Sequence, residues 1–297
     1  MTADAASESL LPRQSLLGIV GLGLMGTALS ERCLAHGYRV RVWNRTPDKA
    51  DSLLELGAEW SDNPFADCER VLISLYSSDV VQQVLEQLAP GLHAGQIVID
   101  TTTGEPEQGV ALADRLAAAG IAYLDAPISG SSEQTRRGEA TVMVGGPRGA
   151  FDACSDLWPI LGQRVFYVGA NGSAARMKLV TNLVLGLNRA ALAEGLAFAE
   201  AIGVEPSAAL EVLMGSMAYS RVMDVKGQKM LTGDYSVQAR LSQHLKDVRL
   251  MLDAAAEAGL PLPLSTTHRQ LLEQAEAAGW GPLDNSSIRN MWRRETP

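Results

Sequence analysis

The stretch that decides the fold is LLGIVGLGLMGTALSERCLA, residues 16–35. It opens with an apolar run typical of a buried strand and ends in a segment of helical character. Between the two, Gly21, Gly23 and Gly26 follow the spacing GxGxxG. The first glycine permits a tight turn, the second lets the backbone approach a pyrophosphate, and the third lets helix and strand pack closely. Free N–H groups at the helix start then favour bound phosphate.

Strand-like and helix-like segments alternate from residue 16 to about residue 168. The apolar runs are residues 16–22, 38–43, 70–75, 96–100, 121–126 and 140–145, and the helix-like segments are residues 26–35, 48–56, 79–88 and 107–119. This alternation is typical of a parallel sheet with crossover helices. We therefore predict an α/β Rossmann-type domain over residues 16–170. Its dinucleotide-binding loop is formed by Gly21, Leu22, Gly23, Leu24, Met25 and Gly26; a glycine-rich turn without a ligand is the alternative.

The second half of the chain has a different sequence pattern, because long Ala- and Leu-rich segments replace the strand-like runs. These cover residues 173–202, 206–217, 238–258 and 265–278. Glycines stand at positions where helices stop, and prolines or Ser/Thr clusters at positions where they start. We predict an all-α domain over residues 171–297. Residues 1–15 lack the features of a signal peptide and are predicted to be a flexible leader.

Composition excludes several classes of function. Lys and Arg number 25 against 34 Asp and Glu, so the net charge is −9, and no sustained basic stretch points to nucleic acid. No run of 18 apolar residues predicts a membrane span. Three scattered cysteines without a CxxC or Cys/His cluster argue against a disulfide framework or a metal site. We expect a reducing compartment and a cytoplasmic location.

The end of the second strand bears on the choice of cofactor. An NAD enzyme places Asp or Glu about 20 residues past the glycines, to accept from the ribose 2′-OH. Here Asn44 takes that place, followed by Arg45 and Thr46. A neutral side chain with a guanidinium suits a 2′-phosphate. We predict NADP(H) in preference to NAD(H), with an exposed turn arginine as the alternative. Two further strand ends, at Leu75-Tyr76 and at Thr102-Thr103, are expected to line the same crevice, although threonines there also suit a helix cap.

Lys178 and Asn182 are the candidate catalytic pair. They lie four residues apart, so both project from one face of the first long helix of the second half. A lysine in this apolar segment is costly to bury, and desolvation lowers its pKa toward the range of a general acid or base. The alternative is a lysine that reaches solvent along its own stem.

In its motifs the chain resembles the β-hydroxyacid dehydrogenase family, which includes 3-hydroxyisobutyrate dehydrogenase and the glyoxylate/succinic semialdehyde reductases. The matching segments are residues 18–26, 43–46, 100–106, 125–131, 172–182, 246–247 and 283–287, in family order. The resemblance implies a long helix that joins the two domains, an active site between them, and a homodimer or homotetramer. It also implies hydride transfer between NAD(P) and a small aldehyde or hydroxy acid.

The resemblance implies a role for individual residues too. Lys178 corresponds to the lysine that exchanges a proton with the substrate oxygen, and Asn182 helps to hold the substrate. The loop of Ser129, Gly130 and Ser131 corresponds to the segment that binds the substrate carboxylate. The remaining cofactor-side positions are Thr102, Thr103, Lys246 and Asp247.

Some positions depart from the pattern of 3-hydroxyisobutyrate dehydrogenases. The loop after Gly130 continues with Ser131-Ser132-Glu133-Gln134 and is more polar, so the acceptor can differ. His244 is either near the substrate or a partly exposed helix residue. The other histidines, including His268, are given no role. Two rival functions stay open, an imine reductase and an NADP-binding regulatory protein without turnover.

Overall fold

The computed structural model describes residues 16–292. Its strands are β1 (Leu16–Val20), β2 (Arg39–Trp43), β3 (Glu59–Trp60), β4 (Arg70–Ile73), β5 (Ile97–Asp100), β6 (Ala122–Asp125), β7 (Ile128–Ser129), β8 (Thr141–Gly145) and β9 (Arg164–Gly169). The predicted leader at residues 1–15 and the last five residues of the predicted helical domain lie outside the described residues.

The helices fall into two groups, those that surround the sheet and those that follow it in the chain. The first group is α1 (Leu24–Ala35), α2 (Asp51–Glu55), α3 (Pro64–Asp67), α4 (Ser78–Gln87), α5 (Pro106–Ala118), α6 (Ser132–Arg136), α7 (Arg148–Ala153) and α8 (Trp158–Leu161). The second is α9 (Ser173–Ala201), α10 (Pro206–Met214), α11 (Gln228–Thr232), α12 (Leu241–Glu257) and α13 (Pro263–Ala275). A π turn at Met223–Gly227 precedes α11, and a 3₁₀ turn at Asn285–Trp292 follows α13.

The sheet has the order β3-β2-β1-β4-β5-β6-β8-β7, with β9 paired to β8. The pairs from β3 to β6 are parallel, whereas β8 is antiparallel to β6 and β7. The strand order reverses at β1, which lies between β2 and β4. Val20 pairs with Ile73, so β1 and β4 end side by side. Ligands of open α/β sheets bind at such a switch point, outside the carboxyl ends of the strands.

Buried apolar side chains form one core on each face of the sheet and a third in the helical half. Along β4, Val71 and Ile73 belong to one core and Leu72 to the other, as the alternation of a strand requires. The third core packs α9 against α12 and α13 through side chains such as Leu196 and Leu245. Helix α9 has 29 residues and contacts both β8 and the helices of the C-terminal half. The predicted Rossmann-type domain, helical second half and long connecting helix are confirmed.

The structure also has strands that the sequence did not predict. β3 is only two residues long and β7 likewise, so neither is long enough to show periodicity. β9 carries partly exposed side chains on an outer strand. Helix α12 begins at Leu241, later than predicted, because the N–H of Gln238 and that of Ala239 donate to the Asp284 carboxylate instead.

Candidate functional site

A cavity of about 680 Å³ lies between the carboxyl ends of the strands and the helices α9 and α12. The glycine loop, the Asn44–Thr46 turn and the Ser129–Ser131 loop line it from the sheet side. From the helical half it receives side chains that include Lys178, Asn182 and Asp247. The cavity therefore brings together distant segments of the chain, since its lining extends from Gly21 to Asn285.

The glycine loop leaves the start of α1 open to the cavity. Gly21 has a φ of 98°, and a Cβ on it or on Gly26 would overlap backbone of Ser74 or of Gly21. A Cβ on Gly23 would meet nothing within 4 Å, so the loop backbone borders open space there. No side chain caps the start of α1. The loop thus fits the pyrophosphate of a dinucleotide, since unpaired N–H groups of a helix start face the cavity.

Asn44 and Arg45 differ in what their side chains do. The Asn44 Oδ1 accepts from the Leu22 N–H at 2.9 Å, and its Nδ2 donates to the Thr46 carbonyl at 2.9 Å. Asn44 therefore braces the glycine loop against the β2 turn. Arg45 is exposed, and no carboxylate of residues 16–292 lies within ion-pairing distance of it. Its guanidinium is free to meet a phosphate at this edge of the cavity.

Lys246 of α12 connects the helical half to the loops that follow β4 and β5. Its Nζ donates to the Tyr76 carbonyl at 3.1 Å and to the Thr103 carbonyl at 2.5 Å, and lies 5.5 Å from the centre of the Tyr76 ring. Thr102 is buried and accepts from the Leu75 N–H at 3.1 Å. These contacts place both loops at the cavity wall and use Lys246 as the link between them.

Lys178 is buried in the wall of the cavity, with 6% of its surface exposed. Its Nζ donates to the Ile128 carbonyl at 2.7 Å. Burial lowers the pKa of Lys178 to about 8, while the nearby Asp247 opposes the shift. The solvent-reaching alternative for this side chain is therefore not what the structure shows. A cation that loses its proton near neutral pH is suited to acid–base chemistry.

Asn182 and Asp247 form a buried pair beside this lysine. Asn182 Nδ2 donates to Asp247 Oδ2 at 2.9 Å, and Lys246 Nζ lies 3.2 Å from the other oxygen of the same carboxylate. Burial raises the pKa of Asp247, and Lys246 and Lys178 oppose that rise. The carboxylate thus holds the Asn182 amide in one orientation.

Asp125 sets the position of the helix that carries Lys178. Its carboxylate accepts from the N–H groups of Gly172, Ala174 and Ala175 at 3.1, 2.9 and 3.0 Å. It is 5% exposed and stands at the end of β6. It therefore fastens the start of α9 to the sheet, a role that its place in the 125–131 segment did not reveal.

The Ser129–Ser131 loop faces the cavity, but its side chains have different partners. Ser129 and Gly130 are partly exposed and line the cavity. Ser131 is buried and caps α6, because its Oγ accepts from the Gln134 N–H while Gln134 Oε1 accepts from the Ser131 N–H. The polar Ser131–Gln134 stretch thus serves a helix cap as well as the cavity wall.

Three buried polar residues near the cavity were missed or misjudged from the sequence. His244 is 6% exposed, so the interpretation as a partly exposed helix residue is wrong. No role is predicted for His268 from its polar neighbours in the sequence. In the structure, however, His268 is 3% exposed, and its ring centre lies 5.2 Å from that of His244. Arg189 is 2% exposed and lines the cavity. Its spacing of 11 residues from Lys178, three helical turns, was the available signal.

Other classes of site receive no support from the described residues. Within residues 16–292, no group of three or more His, Cys, Asp or Glu side chains is arranged to hold a metal ion. Over the same range, no helix has the length and apolar character that crossing a bilayer requires. Cys33, Cys68 and Cys154 are buried free thiols, and burial raises the pKa of each.

Two family models match the chain, one over each half. Residues 16–169 match the NAD-binding domain of 6-phosphogluconate dehydrogenase. Residues 172–292 match the NAD-binding domain of NADP-dependent 3-hydroxyisobutyrate dehydrogenase. Together the two matches cover nearly all of the described residues.

Several curated proteins are similar over most of the chain. A 2-hydroxy-3-oxopropionate reductase of Escherichia coli is 30% identical over 92% of this chain and 95% of the relative. Glyoxylate/succinic semialdehyde reductase 1 of Arabidopsis thaliana is 29% identical over 92% and 96%. The cytokine-like nuclear factor N-PAC of Xenopus tropicalis is 27% identical over 96% of this chain, which spans about half the length of that protein (55%).

Solved structures agree with these relatives. A 3-hydroxyisobutyrate dehydrogenase of Salmonella typhimurium superimposes with a TM-score of 0.86 at 27% identity, covering 93% of this chain and 99% of that one. The structure of Psf3 in complex with NADP⁺ and 2-OPP superimposes with a TM-score of 0.86 at 27% identity, covering 93% of this chain and 100% of that one. An imine reductase of a Pseudomonas species superimposes with a TM-score of 0.66 at 25% identity, covering 95% of this chain and 100% of that one. The imine reductase class is therefore more distant. The chain therefore belongs to the NAD(P)-dependent, 3-hydroxyisobutyrate dehydrogenase-like β-hydroxyacid dehydrogenases.

Proposed function

We propose that this protein interconverts a small β-hydroxy acid and its aldehyde or keto acid, with NADP(H) preferred over NAD(H). Lys178 is the proton donor in reduction and the proton acceptor in oxidation. The observation that carries the proposal is the buried Lys178 ammonium in the wall of a cavity whose other end is the glycine loop. Its pKa of about 8 allows both protonation states near neutral pH.

The glycine loop and Arg45 would hold NADPH, which when bound would supply a hydride for the substrate carbonyl. The carbonyl oxygen then gains negative charge, which the Lys178 ammonium stabilises while it donates a proton. An ammonium has three N–H donors, and the Ile128 carbonyl takes one of them. Two donors remain to face the cavity. In the opposite direction the neutral amine accepts the hydroxyl proton of the substrate.

The neighbouring groups position the substrate. Asn182, held by Asp247, presents its amide next to Lys178 on the same helical face. Ser129 and Gly130 offer a hydroxyl and a backbone N–H for the substrate carboxylate. Holding both ends of a small acid in this way keeps its carbonyl in a reactive position.

The relatives bear on the substrate. The E. coli and A. thaliana proteins are named for the reduction of small aldehyde acids. We propose the same class here, and NADP(H) because Asn44 takes the place where NAD enzymes carry a carboxylate and the cation Arg45 follows it. The imine reductase alternative has weaker support, since those structures are more distant. A regulatory protein without turnover is opposed by the complete set of Lys178, Asn182 and Ser129.

A nicotinamide-absorbance assay tests the proposal. Purified protein with NADPH or NADH is offered glyoxylate, succinic semialdehyde, tartronate semialdehyde, methylmalonate semialdehyde and one cyclic imine. Consumption of NADPH with an aldehyde acid is the expected result. Activity on the imine alone would reject the assigned reaction, and tight NADPH binding with no turnover would favour the regulatory alternative.

The rate is expected to depend on pH through Lys178. Reduction needs the ammonium, so kcat/KM for the aldehyde acid should be level below pH 8 and fall about tenfold per pH unit above it. Oxidation needs the neutral amine and should rise through the same pH. Steady-state rates between pH 5.5 and 10, measured in both directions, check the opposite signs. Profiles that bend in the same sense in both directions would contradict this role.

Arg45 is expected to set the cofactor preference. Arg45→Ala should raise KM for NADPH roughly 10- to 100-fold, because a charge-assisted contact to the 2′-phosphate is lost, and should leave KM for NADH nearly unchanged. Arg115→Ala, on the exposed face of α5, is the matched control and should change neither value. Equal losses with both cofactors would show that Arg45 does not read the 2′-phosphate.

We propose a homodimer or homotetramer in the cytoplasm. The outer face of α9 and the residue that follows the helix support an oligomer, since Val180, Val184, Phe198 and Ile202 are each more than half exposed (58%, 53%, 64% and 59%). Apolar side chains in such a row suit a contact with a second copy of the chain. The three buried free thiols are consistent with a reducing compartment.

A further inference from the structure

Arg189 lies on the same face of α9 as Lys178, three helical turns further along. The two Cα atoms are about 16 Å apart along the helix axis. Helical side chains lean toward the N-terminus of their helix, so Arg189 extends toward Lys178, whereas Lys178 extends away from Arg189. Arg189 lines the same cavity, together with His244 and Asn285. The guanidinium therefore belongs to the wall of the substrate cavity at the end remote from the sheet.

This guanidinium is buried without a partner. Its Nε and Nη2 have no hydrogen-bond acceptor among the described residues. Within residues 16–292, the other lysines and arginines that are less than a tenth exposed each have a hydrogen-bond acceptor. Lys178 donates to Ile128, Lys226 to Asp284, and Arg289 to Glu200. A buried charge is costly unless it is paired. Arg189 alone in this set has no hydrogen-bond acceptor.

Two carboxylates, Asp284 and Asp247, are close enough to raise the pKa of Arg189 against the effect of burial. Neither accepts a hydrogen bond from it, because Asp284 pairs with Lys226 and Asp247 accepts from Asn182.

The two histidines beside Arg189 add no negative charge. Burial lowers the pKa of His244 well below its ordinary value and that of His268 to about 3, and the Arg189 charge adds to both shifts. Both imidazoles are thus neutral, and the Nε2 of each is buried without a partner. Gly186 makes room for this arrangement, since a Cβ there would lie 2.5 Å from the His244 Nε2.

The charge of the residues that line the cavity also favours an anionic ligand. Seven basic residues line it, namely Arg45, Lys49, Lys178, Arg189, Arg221, Lys226 and Arg240. Only Glu139 and Asp247 among its lining residues are acidic, although the chain as a whole carries a net charge of −9. Phosphates of a dinucleotide account for the basic residues at the Arg45 end. Lys226 is already paired with Asp284, and the excess of basic residues that remains at the helical end favours a substrate with more than one negative group.

We propose that Arg189 is a substrate-binding residue that receives a second anionic group of the substrate. The preferred substrate is then a dianion: a β-hydroxy acid, or its aldehyde acid, whose first carboxylate lies at Ser129–Gly130 and whose side chain ends in another carboxylate at Arg189. This inference rests on the proposed function and narrows its substrate class.

Matched β-hydroxy acids test the inference in the oxidation direction with NADP⁺. 2-(Hydroxymethyl)succinate and 2-(hydroxymethyl)glutarate carry a second carboxylate on side chains of two lengths, and 2-(hydroxymethyl)pentanoate has an uncharged side chain of similar size. We expect kcat/KM for one of the dianions to exceed that for the pentanoate roughly 10- to 100-fold. The difference should lie in KM, because the second anion binds away from the reacting carbon.

Two variants assign the preference to Arg189. Arg189→Met, which keeps the side-chain length, should abolish the preference for the dianion and leave the rate on the pentanoate within about threefold. Arg176→Met is the control, because Arg176 lies on the same helix but is 55% exposed in its side chain and pairs with Glu107 away from the cavity. A preference that survives Arg189→Met, or that disappears in Arg176→Met, would overturn the inference.

Thermal unfolding gives a readout that does not need turnover. Glutarate and succinate should raise Tm of the wild-type protein and leave Tm of Arg189→Met unchanged. Oxidation of the pentanoate without any preference for a dianion would overturn the Arg189 inference and leave the proposed function intact. If no acid is turned over, the proposed function fails, and the Tm shift alone then decides whether Arg189 binds an anion: equal shifts in both proteins, or none, reject it.

Discussion

Lys178→Met is expected to lower kcat for reduction roughly 10²- to 10⁴-fold, the range that positioned proton transfer contributes. The variant loses both the proton donor and the cation that faces the developing oxyanion, whereas the methionine stem still fills the buried wall at this position. NADPH binding should change by less than about threefold, because the glycine loop and Arg45 belong to other elements. Stopped-flow single-turnover rates and a fluorescence titration of NADPH measure the two quantities.

A neighbouring cation on the same helix provides the control. Arg176 is 55% exposed in its side chain and pairs with Glu107, away from the cavity, so Arg176→Met should retain turnover. Turnover of Lys178→Met within about tenfold of the wild type would mean that another group donates the proton. Loss of NADPH binding in the same variant would instead point to a disturbed fold.

Asp125→Ala is expected to reduce the free energy of unfolding by roughly 2–4 kcal/mol. Its carboxylate accepts three backbone N–H groups at the start of α9, and Ala174 beside it is fully buried. Without the carboxylate, those donors lose their acceptor in a site that is closed to most water. Urea unfolding followed by circular dichroism measures the change.

Two further variants define what the loss means. Asp125→Asn keeps one acceptor oxygen and should fall between the wild type and Asp125→Ala. Asp152→Ala removes an exposed carboxylate that pairs with Arg148 and should change stability by less than about 0.5 kcal/mol. An Asp125→Ala protein as stable as the Asp152→Ala control would show that α9 is held to the sheet by packing alone.

Local patterns were sufficient to predict the fold. The glycine spacing after β1 predicted the open helix start, and the change from alternating to helical segments near residue 170 predicted two kinds of structure. Such features depend on neighbours within a few residues, since strand and helix periods and glycine conformations are local properties. The short strands β3 and β7 were not predicted for the same reason. Each has two residues and is defined only by its pairing with a neighbouring strand.

The site could be predicted in part. Lys178 and Asn182 share a helical face, and their spacing alone placed them together. The roles of Asp125 and His244 depended on contacts across the chain, such as the one between Asp125 and Gly172, which are 47 residues apart. The Ser131 cap is local, since its partner Gln134 is three residues away. A histidine within a helix looks the same in sequence whether it is exposed or buried, and for that reason the exposure of His244 was misjudged.

By itself, therefore, the sequence determined the Rossmann-type sheet, the helical second half, the phosphate loop and the face of α9 that carries Lys178. Tertiary structure alone decided the electrostatics: which cations are desolvated, which carboxylates face them, and which are left unpaired. The physical reason is that pairing and desolvation depend on the distance between distant segments, as when α9, α12 and the loop after β6 close around Lys178 and Arg189.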